Sequence, residues 1–226
     1  MFAILKKEFK SYLLSPIGYI FVGLFLLMFS IFFIITIFQS AILNFEYLFY
    51  NGATILTFVV PVLTMRMFSE ERKNGTEQLL LTSPRSITSI VLGKFFAACL
   101  IMLITELFTL MYFAILEYFG EPSLAVALTT LGGFFLLSMA YISFGMFASS
   151  ITENQVIAAV ISIGFFLIIS FLQNYQGAIE MFSLVQMYQK FPQGIISLKE
   201  VVGYVSFILL FTCLTIIVLQ RRKSVK

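Results

Sequence analysis

The sequence has no histidine and no aspartate, so all eleven acidic residues are Glu. Without histidine, imidazole acid–base catalysis, Ser-His-Asp triads and the common His-containing zinc sites are excluded. Charge is scarce as well: Lys, Arg and Glu make up only 11% of the 226 residues, where soluble chains carry roughly 25%. That is too little to clothe a water-soluble globule of this size. With 60% hydrophobic residues and a mean hydropathy of +1.02, the solvent of this chain is largely lipid. The two cysteines, Cys99 and Cys213, both sit inside apolar runs. A small hydrophobic side chain fits there better than a disulfide or metal ligand.

What the chain does have is long apolar stretches. Crossing a hydrocarbon core of about 30 Å takes about 20 helical residues, and six stretches emerge on that measure, the last two somewhat shorter. They run from Ile17 to Phe38, from about Tyr47 to Phe68 with Asn51 near one end and Pro61 inside, from Phe95 to Leu116, from Leu124 to Ser149, from Val156 to Leu172 and from Val202 to Leu219. The first is longer than the core of a secretory signal and no small-x-small cleavage site follows it, so it is expected to stay in the mature protein.

The basic residues fix an expected orientation, because positively charged short loops stay on the cytoplasmic side. Lys6, Lys7 and Lys10 precede the first span; Arg66, Arg72, Lys73, Arg85 and Lys94 follow the second; Arg221, Arg222, Lys223 and Lys226 end the chain. Only Lys190 and Lys199 lie on the other side. Both termini are expected in the cytoplasm. Because the basic residues flank spans instead of forming one patch, the net charge of +3 does not mark a nucleic-acid binder.

Before the first span, Phe2, Leu5, Phe9, Tyr12 and Leu13 fall on one helical face and Lys6, Lys7, Lys10 and Ser11 lie away from it. The pattern over residues 1–14 suits a helix lying on the bilayer surface; a basic flank that only sets topology accounts for it equally. Ser15 and Pro16 break it. The stretch 69–86 is the richest in the chain. Glu70, Glu71, Arg72 and Lys73 continue the second span into water, and Asn74-Gly75 offers a left-handed stop. Thr76 can cap a short helix with Glu77 in its first turn, favourably placed against the helix dipole. That helix carries Leu79, Leu80 and Leu81 until Ser83-Pro84 ends it. The leucines call for a partner, in the headgroup region or in a groove on another protein; a plain solvated linker explains the charges but not the leucines. Between the fourth and fifth spans, Thr152 and Gln155 form a capping-box pair. With Glu153 and Asn154 they serve either helix initiation alone or a second, weaker partner contact.

Glu106 lies about eleven residues into the third span, near the bilayer midplane, where an ionised carboxylate is expensive. Two roles fit: a protonated carboxyl hydrogen-bonded to a Ser or Thr on a neighbouring span, or a group lining a transport path. Gly145 and Ser149 make a small-x-x-x-small pair that allows close helix approach, within one subunit or at a seam between two. From Gln173 to Glu200, Phe182, Leu184, Val185, Met187, Tyr188 and Phe191 mix with Gln before a turn at Pro192 and Gly194. This outer segment, 173–200, reads as a partly inserted or surface-lying amphipathic helix that gates the outer mouth, touches an outer-surface partner, or forms a lid that seals the last two spans.

The string Glu70-Glu71, Gly75-Thr76-Glu77, Leu79-Leu80, Pro84 and Gly93-Lys94 resembles the signature of ABC-2 type transporter permeases. Lys7-Glu8, Ser15-Pro16-Ile17-Gly18-Tyr19, Asn154-Gln155 with Ala158, and Phe191 to Ile196 extend the resemblance over essentially the full length. They resemble in particular the gliding-motility and nitrous-oxide-reductase-maturation branch, from which Pro192 is a departure. The resemblance implies an all-α membrane protein of six transmembrane helices, a single permease domain over 1–226. Two such permeases would pair with two cytoplasmic ABC ATPase subunits in a prokaryotic cell membrane. Residues 1–14 would be a surface connecting helix and Thr76 to Thr82 the coupling helix. No G-x-x-x-x-G-K-[ST] phosphate loop is present: Gly93-Lys94 lacks the upstream Gly and Phe95 takes the Ser/Thr position. ATP and Mg would therefore bind the partner ATPase, with no cofactor on this chain. A self-sufficient secondary carrier or a membrane scaffold are the competing functions. The carrier predicts inverted repeats and paired ionisable groups at the midplane, and the sequence offers one Glu there.

Overall fold

A computed structural model describes residues 1–40, 45–82, 85–119, 123–172 and 184–225. Among them every regular element is a helix. The chain opens with α1 (Phe2–Leu14), stops at Ser15, and continues as α2 (Pro16–Ser40). Next come α3 (Phe45–Thr64), α4 (Ser69–Lys73), α5 (Glu77–Thr82), α6 (Ile87–Phe108), α7 (Leu110–Phe119), α8 (Leu124–Ile151) and α9 (Gln155–Leu172). A short α10 (Leu184–Tyr188), a 3-10 turn at Phe191–Gln193 and α11 (Leu198–Val225) complete it.

Among the described residues five helical stretches are long and apolar enough to cross a membrane: Pro16–Thr36, Phe45–Lys73, Ile87–Tyr118, Leu124–Ile151 and Leu198–Ser224. The stretch read as a fifth span from the sequence is the shorter apolar helix Gln155–Phe171. The third expected span differs most from its apolar run. Its helix begins at Ile87, because Ser86 caps it by accepting the Ser89 amide at 3.3 Å. It is then interrupted at Thr109, where the amide donates to the Glu106 carbonyl at 2.9 Å and the Tyr112 amide to the Thr109 carbonyl at 3.0 Å. These three-residue spacings tighten the backbone into a local 3-10 step.

In lipid there is no hydrophobic drive between helices, so close packing has to hold them together. The Phe content supplies it. α8 is the central helix and packs on α3, α6, α9 and α11. Its Phe134 meets Phe49 and Phe29 at ring separations of 5.0 and 5.8 Å. Nearer its other end Phe144 stacks on Phe165 at 3.7 Å and meets Phe211 of α11 edge-on at 4.9 Å. Each edge-to-face pair contributes about 0.5–1.5 kcal/mol beyond its contact area.

At the end of the bundle away from the termini, Leu184, Tyr188 and Phe191 are buried against α3, α8 and α11. The Tyr188 hydroxyl donates to the Thr130 carbonyl at 3.3 Å, the Tyr204 hydroxyl to the Leu184 carbonyl at 2.6 Å, and Lys190 pairs with Glu200 at 2.5 Å. Pro192 sits inside the 3-10 turn, which ends on left-handed Gly194. Within the outer segment Leu184, Tyr188 and Phe191 are thus packed into the bundle, while Ile195, Ile196 and Leu198 stay exposed. Residues 173–183, with Phe182, lie outside the described residues.

Candidate functional site at the charged end of the bundle

Both chain termini lie at one end of the bundle, and most of the charge gathers there. The element between α3 and α6 is built first by its backbone. α3 ends at Thr64, a turn follows, and α4 begins at Ser69. That turn is pinned to α8 by one hydroxyl: Ser149 Oγ accepts the amides of Phe68 and Ser69 at 3.0 and 3.1 Å and donates to the Met65 carbonyl at 3.0 Å. One donor and two lone pairs are thereby all used. One turn back on α8, Gly145 leaves the room this needs, since a Cβ there would meet Thr64 Oγ1 at 2.2 Å. The Gly145/Ser149 pair therefore packs α8 on α3 within one chain.

α4 stops where expected. Asn74 and Gly75 donate their amides to the Glu70 and Arg72 carbonyls, and Gly75 adopts a φ of 72°, a conformation that glycine takes without penalty. Thr76 directly precedes α5, but its hydroxyl donates backward to the Glu71 carbonyl at 3.2 Å and so ties α5 to α4.

Around this backbone the structure brings the predicted acids together with cations of the same chain. Glu70 pairs with Arg66 at 3.2 Å. Glu71 Oε1 accepts from Lys94 Nζ at 2.9 Å, and the same ammonium reaches Glu8 Oε1 of α1 at 3.2 Å. Lys94 is 3% exposed, two turns into α6. A cation so deep in apolar surroundings needs acidic partners to be tolerated. The ammonium also lies 5.4 Å from the centre of the Phe68 ring. Glu8 can reach it because α1 crosses α6 at Gly93, against Ile4. The face of α1 turned to the bundle holds Ile4, Leu5, Glu8, Phe9 and Tyr12; Phe2 and Leu13, expected on that face, point outward. Tyr12 donates to the Leu63 carbonyl at 3.4 Å beneath Arg66, and burial pushes its phenol up from the usual value. A cavity of about 600 Å³ opens between α1, α4, α5 and α6, with Glu8, Arg66, Glu71 and Lys94 in its wall and the exposed Leu79 of α5 at its edge.

A second cluster joins α4 and α5 to the α8–α9 turn and to the end of α11. Arg72 pairs with Glu153 at 2.7 Å and donates to the Ile151 carbonyl at 3.0 Å. Arg222 donates to Glu77 Oε1 at 3.0 Å. Two stretches read separately from the sequence thus meet, with Arg72 of α4 joined to Glu153 of the α8–α9 turn. The capping box expected of Thr152 and Gln155 is not formed. α9 starts at Gln155, so Asn154 holds the cap position and accepts the Val156 amide at 2.9 Å, while Thr152 Oγ1 accepts the Asn154 amide at 3.1 Å. Asn is the stronger cap, which places the start one residue beyond Asn154.

With its acids engaged inward, α5 turns an apolar side chain outward: Leu79 is 74% exposed. Leu80 lies within α5, but its side chain, like Pro84 entirely, is outside the described residues. Glu106 is far from this surface. It is buried in α6, and among the described residues neither carboxyl oxygen has a hydrogen-bond partner, so the Ser or Thr partner expected for it is not found. Sequence reading missed Glu8, Arg72, Lys94 and Arg222 as site residues. For Lys94 the signal was available: it interrupts an apolar run of α6 on the same helical face as Ile90 and Val91.

A bundle of long apolar helices with its charge folded into a short helical element at one end defines a helical integral membrane protein. The family model described as ABC-2 family transporter protein matches residues 2–223, and the chain belongs to that family. Comparison with curated proteins found no match.

Proposed function

We propose that this chain is the membrane-spanning permease subunit of an ATP-driven exporter and that α5, with the 152–155 turn beside it, docks on a separate ABC ATPase. Leu79 carries the reading. An apolar side chain 74% exposed sits on a short helix whose acidic neighbours Glu70, Glu71 and Glu77 are each held by a cation of the same chain. Glu70 and Glu71 keep the element in shape through Arg66 and Lys94, and Leu79 with Gly75, Thr76 and Gln78 is the face offered to a partner, in the manner of helix-in-groove recognition. In this reading the charged end is cytoplasmic, since Lys and Arg crowd it. α9 is then the sixth span; a helix somewhat shorter than the hydrocarbon core is accommodated by local thinning or tilt of its neighbours.

The working unit is two permeases, identical or homologous, with two ATPase subunits that bind ATP and Mg, in a prokaryotic cell membrane. Closure of the ATPases displaces α5, and the spans rearrange between inward-open and outward-open states. Lys7-Glu8, Ser15 to Tyr19 and Phe191 to Ile196 support the gliding-motility and nitrous-oxide-reductase-maturation branch. Glu106 is proposed to face the transport path in the open states; Glu106→Gln with normal expression and unchanged transport refutes that role.

Affinity purification in mild detergent tests the docking. The expected result is a stoichiometric nucleotide-binding subunit that is lost with Leu79→Glu while membrane insertion is unchanged. Transport by the chain without any such subunit refutes the reading in favour of a secondary carrier.

A further inference from the structure

The last turn of α11 reaches the docking element through Arg222. Its Nη1 donates to Glu77 Oε1 at 3.0 Å and its Nη2 to the Ile151 carbonyl at 3.4 Å. That carbonyl ends α8 and accepts Arg72 Nη1 as well, at 3.0 Å. A carbonyl has two lone pairs, and the negative end of a helix favours cations, so both guanidinium groups are well placed on it. The Arg222–Glu77 pair is largely withdrawn from water, with side-chain exposures of 22% and 11%. The planar fork of arginine suits this position because it can hold a carboxylate and a carbonyl at once; a lysine ammonium, as a point charge, holds them less firmly. Its neighbours Arg221 and Lys223 form no ion pair with another described residue, so Arg222 is the tail's ionic tie to α5 among the described residues. Charge flanking a span needs no such partner if it serves topology alone.

We propose that Arg222 is a positioning residue that fastens the last span to the docking helix, so that displacement of α5 moves the cytoplasmic ends of α11 and α8 together. This rests on the docking reading above. The last span then takes up force through its C-terminus, by a contact that the α5 helix makes without using its exposed leucine.

Hydrogen exchange on the full permease–ATPase complex in nanodiscs, with and without ATP and vanadate, tests it. In the parent, trapping is expected to change exchange both in α5 and in the last turns of α11. Arg222→Gln is expected to keep the bound ATPase and the change in α5 but lose the change in α11. Arg221→Gln should behave as the parent, and Arg222→Lys should fall between. Should Arg222→Gln fold poorly, Glu77→Cys/Arg222→Cys in a background lacking Cys99 and Cys213 provides the second arm: a short bifunctional thiol reagent is expected to restore the α11 change. An α11 change that persists in Arg222→Gln, or that the cross-link does not restore, overturns the proposal. Absence of bound ATPase, or of any α5 change in the parent, instead identifies failure of the docking reading and removes the proposal with it.

Discussion

Lys94→Met removes the ammonium that two carboxylates share while keeping most of the aliphatic stem. Glu8 and Glu71 then lose the cation they share in the wall of the cavity. Breaking a buried ion pair by deleting one partner costs about 3–5 kcal/mol. Here the carboxylates keep 15% and 19% side-chain exposure, so some solvent screening remains and about 2–4 kcal/mol is the working figure. At about 2–4 °C per kcal/mol for a chain of this length, the midpoint of unfolding should fall by about 4–16 °C. Lys7 is the control: it reaches the same Glu8 at 4.0 Å but its side chain is 72% exposed, and exposed pairs contribute about 0–1 kcal/mol. The assay is built into the protein. Cys99 is buried and Cys213 exposed, so in a Cys213→Ala background a thiol-reactive dye reports unfolding through Cys99 alone. Lys94→Met/Glu71→Gln should recover at least half of the loss. The reasoning is refuted if Lys94→Met melts within about 1 °C of the parent, or if Lys7→Met costs as much.

Two further substitutions probe the frame of the same element. Gly145→Ala puts a methyl group 2.2 Å from Thr64 Oγ1, and such overpacking should cost about 1–3 kcal/mol; Thr64→Ala in the same chain should restore part of the melting temperature. Asn154→Ala removes the α9 cap and should cost about 1 kcal/mol, whereas Thr152→Ala, which loses only a turn contact, should cost less in the same dye assay.

Much of this architecture is legible in residue order because lipid imposes a simple rule on it. A run from Ile17 to Phe38 has one use at that length and polarity, and α2 covers it. Gly75 and Gly194 stop their helices because few other residues adopt a positive φ easily. Gly145 and Ser149 announce a close approach, although not that the neighbour would be the turn after α3. Pairing was less legible. Periodicity tells which face of a helix a charge occupies but not what lies opposite, so Glu70 and Glu71 read as charges carrying a span into water and Glu77 as a helix-start residue until Arg66, Lys94 and Arg222 are placed beside them. Arg222 looked like one of several topology-setting tail cations, because its partner Glu77 is 145 residues away. The early start of α6 escaped for a related reason: its first turns are polar enough to fail an apolar-run test, while Ser86 caps them all the same.

The central claim is that Leu79 meets a protein surface belonging to the motor subunit. A photo-activatable residue placed at position 79, exposed to light in living cells and analysed by mass spectrometry, tests this contact directly. The account predicts an adduct to a nucleotide-binding ATPase subunit, stronger at position 79 than at the half-buried Ile4 of α1. Adducts to phospholipid alone, or an equal yield at both positions, would contradict it.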